Sequence, residues 1–162
     1  MAAVSPQSML AAEMVLQVAA AITQNADKLN VVEWPVNQVR WPHDVIVVAL
    51  GGTRRTTVDN ESDMVDYDFS VSMATMGEDR EAMAFTLDTW ARATSLVLGD
   101  RASDQSPLRA ATLPLSTLAL SGSAVLTISI GATETTTFPD GSGGFRAGVV
   151  VPVTVRCYER AA

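Results

Sequence analysis

The segment over residues 64–76 alternates strictly between apolar and polar side chains. A period of two is typical of a β-strand with one buried face, whereas a helix repeats about every 3.6 residues. The pattern therefore predicts a strand whose aspartates and serines face away from the core. Its core-facing side chains are Val65, Tyr67, Phe69, Val71 and Met73.

Near the N-terminus, apolar residues repeat at helical spacing. Ser5 and Pro6 suit the N-cap and the first helical position. The run that follows is rich in alanine, methionine and leucine, and it predicts a helix that extends to about Leu29. One apolar stripe of this helix would face the core: Leu10, Met14, Val18 and Ile22.

A second helix is predicted over residues 78–98, directly after the alternating strand. Glu78 or Asp79 can stabilise its N-terminus through the helix dipole. Gly99 stands where a C-cap residue in the left-handed conformation is common. The core face of this helix comprises Met83, Leu87, Trp90, Thr94 and Val97.

Shorter β-rich runs complete the pattern. Residues 44–50 predict a strand that ends at Gly51 and Gly52, and the polar residues 53–63 predict an exposed loop or hairpin arm. Pro152 has no amide hydrogen to donate, which indicates a sheet edge or a bulge at that point. The last third is β-rich: residues 113–120 precede two further predicted strands, over residues 124–137 and 146–158, which are joined by a glycine-rich turn.

These elements follow one another in the order α-β-β-α-β-β. The order predicts the α+β class: a two-layer domain with a mainly antiparallel four-stranded sheet packed by two helices. The chain has 162 residues and 48% hydrophobic content, which fits a single domain over residues 1–162 with a sizeable core.

Charge and cysteine content narrow the function classes. The net charge of −7 argues against sequence-independent DNA binding, which needs a basic face, and an aromatic content of 6% also disfavours a nucleic-acid-binding module. Cys157 is the one cysteine, so the sequence predicts no intrachain disulfide and an intracellular origin. No apolar run reaches the roughly 20 residues that span a bilayer. We therefore expect a soluble chain that is cytoplasmic when made.

Candidate catalytic or metal sites are weak. Asp66 and Asp68 share one strand face, but the solvent face of a strand is ordinarily polar. The acidic residues 59–63 lack the central glycine and distal glutamate of a calcium loop. His43 has no identifiable nucleophile or orienting partner. The sequence therefore predicts no enzyme, no catalytic residue, no metal site and no cofactor.

The order of elements and their residues together resemble the tail terminator family of long-tailed bacteriophages. After an N-terminal helix, the resemblance rests on a hairpin that opens with DVIVVALGG and closes with DMVDYDFSVSMATMG. It continues with the helix EDREAMAFTLDTWARATSLVLGD and with the strands LTISIGATETTTFPDG and FRAGVVVPVTVRCYER. The match covers most of the chain as a pattern of elements.

This resemblance implies a structural virion protein. Members of the family form a ring, usually of six subunits, that sits on the last ring of the major tail tube protein and ends tube polymerisation. The ring presents the attachment surface for a neck or head-to-tail stopper protein, and double-stranded DNA passes through its lumen without specific binding. The implied location is the tail–neck junction of the virion, after assembly in the host cytoplasm and without a membrane.

A closed ring uses heterologous contacts around a rotation axis, and exposed strand edges and loops are natural places for them. We therefore expect residues 53–63 and 133–145 to be the main contact segments. The candidate residues for interfaces between subunits or with partners are Arg54, Arg55, Asp59, Glu61, Asp63, Asp66, Asp68, Glu134, Phe138, Asp140, Phe145 and Arg146.

Two alternatives stay open. Another neck component, such as a head-to-tail connector or a tail-completion protein, shares a small α+β design. A small cytoplasmic enzyme or ligand-binding domain belongs to a different class, and the absence of clustered His, Cys, Lys or carboxylate groups on loops disfavours it.

Overall fold

The computed structural model describes residues 6–22, 29–33, 44–75, 79–99, 124–139 and 145–160. It contains the helices α1 (Pro6–Ala21) and α2 (Arg80–Leu98), and the strands β1 (Leu29–Glu33), β2 (Asp44–Thr57), β3 (Ser62–Ala74), β4 (Ala124–Ile130), β5 (Glu134–Pro139) and β6 (Phe145–Arg160). Four predicted features lie outside the described residues: the cap at Ser5, the lone His43, the β-rich run over residues 113–120 and the turn at residues 140–144.

The strands form one sheet in the order β1-β2-β3-β6-β4, and β5 also pairs with β6. All neighbours are antiparallel except β1, which runs parallel to β2. One cluster of buried side chains joins both helices to the sheet. The predicted α+β class with an antiparallel sheet and two helices is confirmed. The predicted number of four strands is wrong, because the described sheet has six.

The predicted faces of β3 are confirmed. Val65, Tyr67, Phe69, Val71 and Met73 are all at most 5% exposed, and the aspartates and serines between them are partly exposed. Since β3 lies between β2 and β6 over its whole length, its apolar face is the centre of the core.

Helix α1 begins at Pro6, as predicted, and its stripe from Leu10 to Ile22 is buried. The predicted end near Leu29 is wrong, because the helix ends at Ala21 and Leu29 already pairs with Asp44 in β1. The five residues of β1 are too few to show a clear period of two, so the alanine-rich composition before them dominates the sequence pattern.

Helix α2 is capped by Asp79, whose carboxylate accepts hydrogen bonds from the backbone amides of Glu81 and Ala82. The predicted left-handed C-cap at Gly99 is wrong, since its φ of −79° and ψ of 141° are extended. A Cβ atom there would lie 2.7 Å from Cγ1 of Ile130. Gly99 therefore permits the close approach of the helix end to β4.

The core face of α2 is confirmed for three of its five predicted residues. Leu87, Trp90 and Thr94 are buried, whereas Met83 and Val97 are half-buried at its flanks. Ala91 and Leu98 complete the buried face.

Strand β2 does not end at the glycine pair, contrary to the sequence prediction. Gly51 and Gly52 form a bulge, because Leu50 pairs with Phe69 and Thr53 pairs with Tyr67, which leaves both glycines opposite Asp68. The strand continues to Thr57 and pairs with β3, so of the two predicted alternatives for residues 53–63, the exposed hairpin arm is confirmed and the loop is wrong. In this part of β2, the side chains form ion pairs with carboxylates of β3. The sequence therefore lacks the alternating apolar residues that would predict a strand there.

The bulge requires glycine at its first position. A Cβ atom at Gly51 would lie 2.8 Å from the carbonyl oxygen of Asp68, whereas one at Gly52 would meet nothing closer than 4.0 Å. We therefore expect Gly51→Ala to lower the free energy of unfolding by about 1–3 kcal/mol, the usual cost of overpacking. Urea unfolding measures this loss, and Gly52→Ala is the matched control. Equal stability of the two variants would contradict the assigned bulge.

The run predicted as one strand over residues 124–137 is two strands, β4 and β5, that lie on the same side of β6. The break is opposite Pro152, whose carbonyl accepts a hydrogen bond of 2.9 Å from the amide of Gly131. In an antiparallel sheet, the N–H and C=O of one residue point towards the same neighbouring strand. The carbonyl of Pro152 points towards β4 and β5, so the N–H that proline lacks is missing on that side of β6. Pro152 thus interrupts the neighbouring strand while it remains inside the sheet.

Candidate functional site

The part of the sheet beyond the bulge carries five of the ten charged candidate residues. We call it the charged end: residues 53–57 of β2, 62–68 of β3 and 154–160 of β6. Because strand side chains alternate, these residues form one network on the open face of the sheet and another on the face that carries the helices.

On the open face, Asp66 is the central acceptor. Arg156 binds it through two parallel hydrogen bonds, 2.8 Å from Nε to Oδ1 and 3.0 Å from Nη2 to Oδ2. Such bidentate pairs are among the stronger side-chain contacts. Arg54 approaches from β2, with Nη2 3.3 Å from Oδ1 of Asp68, and the hydroxyl of Thr154 donates to that same oxygen at 2.8 Å. The network thus connects all three strands.

The hydrogen bonds from Arg156 hold the pKa of Asp66 below its ordinary value of 3.8. A carboxyl group whose pKa is lower in the folded state stabilises the fold above its unfolded pKa. This contribution is therefore complete at neutral pH and is lost as the pH falls below about 3.8 through the lowered folded pKa. The role that best fits Asp66 is to hold strands together.

On the helix-bearing face, the carboxylate of Glu159 is buried and accepts a hydrogen bond from the hydroxyl of Tyr67. Arg55 reaches the same carboxylate with Nη1 at 3.3 Å from Oε2, and its Nη1 lies 2.8 Å from Oδ2 of Asp63. Burial, and then the bond to Glu159, raise the pKa of Tyr67 well above its usual range. The phenol therefore stays protonated and acts as a donor to the buried acid.

Cys157 lies beneath this second network and is 1% exposed. Burial raises the pKa of its thiol to about 12, so almost no thiolate exists near neutral pH. We expect the folded protein to react with a thiol reagent such as iodoacetamide at pH 8 only through unfolding. The measurement is the rate of labelling with and without denaturant. Fast labelling of the native protein would contradict the assigned burial.

The turn between β2 and β3 is exposed throughout its residues 58–61. The amides of Val58 and Asp59 both donate to the carbonyl of Ser62, at 3.0 and 3.3 Å. Asp59 Oδ1 accepts the amide of Glu61 at 2.8 Å, and the Glu61 carboxylate pairs with Arg160 at 3.0 Å. The turn is therefore a hydrogen-bonded tip on which Val58 leaves 53% of its surface exposed.

The second predicted contact segment lies elsewhere. Glu134 is exposed at the start of β5, and Arg146 is half-buried on β6, opposite Phe138 in register. Phe145 pairs in register with Pro139, and Asp140 lies outside the described residues. The structure thus places the two predicted contact segments on opposite sides of the sheet and does not bring them together.

The residues of β6 that complete the charged end are not among those that the sequence indicates. Arg156 and Glu159 stand 90 residues or more from their partners on β3, and only the strand register brings them together. The alternating pattern of β6, in which charged residues follow the valines, indicates a strand. One sequence does not show which strand pairs with β6 or in which register.

A groove separates the outer flank of α2 from the β5–β6 hairpin, with a volume of about 890 Å³. Its floor and walls are largely apolar, and Leu96, which is 55% exposed, stands at its rim. Arg80, Asp88 and Arg92 are charged groups along the helix side. The apolar lining side chains are Met83, Ala84, Leu87, Ala91, Leu96, Ala147 and Val149.

Within the described ranges, no group of three or more His, Cys, Asp or Glu side chains is placed to hold a metal ion. Neither described helix has the length and apolar character needed to cross a membrane. Comparison with known proteins found no family model that matches this chain and no match among curated proteins. The resemblance to tail terminators is thus an expectation that rests on the sequence pattern.

Proposed function

We propose that this protein is a ring-forming structural component of a phage tail, the terminator that caps the tail tube. The observation that carries the proposal is the position of the two predicted contact segments on opposite sides of one sheet. Two such segments cannot contact each other within one chain. A head-to-tail contact between copies can join one segment to the other, and it generates a closed ring when the rotation between neighbouring subunits closes.

The charged residues at the two edges of the sheet support a specific contact between subunits. Beyond Val48, β2 has no second neighbour among the described strands, and this half of the strand carries Arg54 and Arg55. On the other side, β5 pairs only with β6 among the described strands and begins with the exposed Glu134. Charged side chains on edges prevent indiscriminate strand pairing, so these edges favour a defined partner.

The remaining features of the proposal come from the family resemblance. They are a ring of six subunits, contact with the major tail tube protein on one side and a neck or head-to-tail stopper protein on the other, and passage of double-stranded DNA through the lumen. The net charge of −7 suits such a conduit, because a basic lumen would retain the DNA. The virion location and assembly in the host cytoplasm follow from the same role.

The proposal is tested by sedimentation and electron microscopy of the purified chain, alone and with the major tail tube protein of the same phage. We expect closed rings, or rings that form on tube ends and stop further growth. A chain that stays monomeric even beside its tube protein would refute the proposal. Rings that bind head-side proteins and leave tube growth unchanged would favour another neck component instead.

A further inference from the structure

The turn at residues 58–61 and the groove beside α2 have complementary chemistry. The turn presents the apolar Val58 next to Asp59, a carboxylate with no cation within ion-pair distance among the described residues. The groove presents an apolar lining next to Arg80, which has no hydrogen-bond or ion-pair partner among those same residues. Arg92 at the groove is paired with Asp88 at 2.9 Å, so Arg80 is the cation available to a ligand.

The turn and the groove cannot meet within one chain. The turn lies beside Arg160 at one end of β6, and Val149 in the groove lies near the other end. The eleven residue steps from Val149 to Arg160 span roughly 35 Å at about 3.3 Å per step along a strand. The turn also belongs to the β2 side of the sheet and the groove to the β5 side. Each surface is therefore available to a second copy.

We infer that the turn of one subunit inserts into the groove of the next subunit, with Val58 against the apolar lining and Asp59 paired with Arg80. This contact rests on the proposed ring, in which it would join neighbouring subunits. The two surfaces differ, so the contact is heterologous and repeats around an axis. An apolar side chain beside one ion pair matches the usual anatomy of an interface, with an apolar centre and a polar rim.

The pairing is tested by charge reversal in the full-length chain. Asp59→Arg and Arg80→Glu each place like charges in contact, which opposes the interface. We expect each single variant to need at least a tenfold higher protein concentration for half-assembly, measured by sedimentation. The double variant Asp59→Arg with Arg80→Glu restores the opposite charges, and we expect its assembly within about threefold of the wild type.

Ser129→Arg is the control. Ser129 is exposed on β4, and its neighbour Ile128 is buried against the helices, so the added charge lies on the open face. We expect this variant to assemble like the wild type. Circular dichroism melting of every variant checks that the fold is intact. Asp59→Arg removes the hydrogen bond from the amide of Glu61, but the turn keeps its two backbone bonds to the carbonyl of Ser62.

The outcomes separate this inference from the function on which it rests. If the wild type forms rings and both single variants assemble normally, the contact is wrong and the ring stands. If only Arg80→Glu impairs assembly, or the double variant is not restored, the groove binds something other than this turn and the inference is overturned. If the wild type fails to assemble even with its tube protein, the proposed function falls and the inference falls with it.

Discussion

Phe69→Asp is expected to unfold this protein. Phe69 is 3% exposed at the centre of β3, between Leu50 of β2 and Val153 of β6. Removing a buried aromatic side chain costs about 3–5 kcal/mol, and an unpaired carboxylate in its place costs several more. The sum approaches the whole stability of a small domain, which is about 5–15 kcal/mol. Circular dichroism and urea unfolding would show a chain without a cooperative transition at neutral pH.

Ser70→Asp is the matched control for this variant. The side chain of Ser70 is on the opposite face of the same strand and is partly exposed, so its replacement leaves the core intact. We expect a cooperative transition for this variant and none for Phe69→Asp. If Phe69→Asp folded cooperatively, the assignment of the two faces of β3 would be wrong.

Arg55→Glu is expected to destabilise the fold, although Arg55 is a surface residue by sequence. The change removes the cation that contacts the buried Glu159 and the carboxylate of Asp63, and it brings a third carboxylate to them. Hydrogen bonds to charged groups contribute about 1.5–3 kcal/mol. Because solvent screens the half-exposed Arg55, we expect a loss of about 2 kcal/mol. Urea unfolding at pH 7 measures it.

Arg54→Glu separates this effect from a general effect of charge. Arg54 is 66% exposed on the open face, and Asp66 keeps its bidentate bond to Arg156 when Arg54 is replaced. We expect a loss below about 1 kcal/mol, as for exposed ion pairs. Equal losses in the two variants would contradict the separate networks on the two faces.

These internal partners change how the adjacent arginines are used as probes. The sequence indicates an exposed basic pair that is available for contacts, and the structure gives each arginine a carboxylate partner on β3. A combined replacement of both would mix loss of stability with loss of assembly. The exposed turn therefore offers cleaner substitutions for a test of assembly.

The sequence predicts secondary structure well where one hydrophobic period continues over many residues. The thirteen residues of β3 and the core stripes of both helices are clear because burial on one face repeats over several turns or pleats. The charged end is harder to predict. Its strands are held by pairs such as Asp66 with Arg156 and Tyr67 with Glu159, whose partners are about 90 residues apart, and a single sequence does not give that register.

The glycines show the second reason for the differences. Gly51 and Gly52 look like the end of a strand, and Gly99 looks like a left-handed cap, because glycine most often marks such places. In the structure, Gly51 lies against the backbone of Asp68 and Gly99 against Ile130. Each glycine is required by a close neighbour from another element, and that neighbour is invisible in the local sequence.

The bulge at Gly51 and Gly52 affects the direction of the turn at residues 58–61 and leaves its charged side chains unchanged. A bulge bends its strand and increases the local twist, whereas the cross-strand pairs on either side of it are regular. Deleting Gly52 would therefore preserve every charged pair and change the angle at which the tip leaves the body of the subunit. In a closed ring, the angle between neighbours sets the number of subunits. On the proposed function, two small residues that make no contact between subunits themselves thus govern the diameter of the channel.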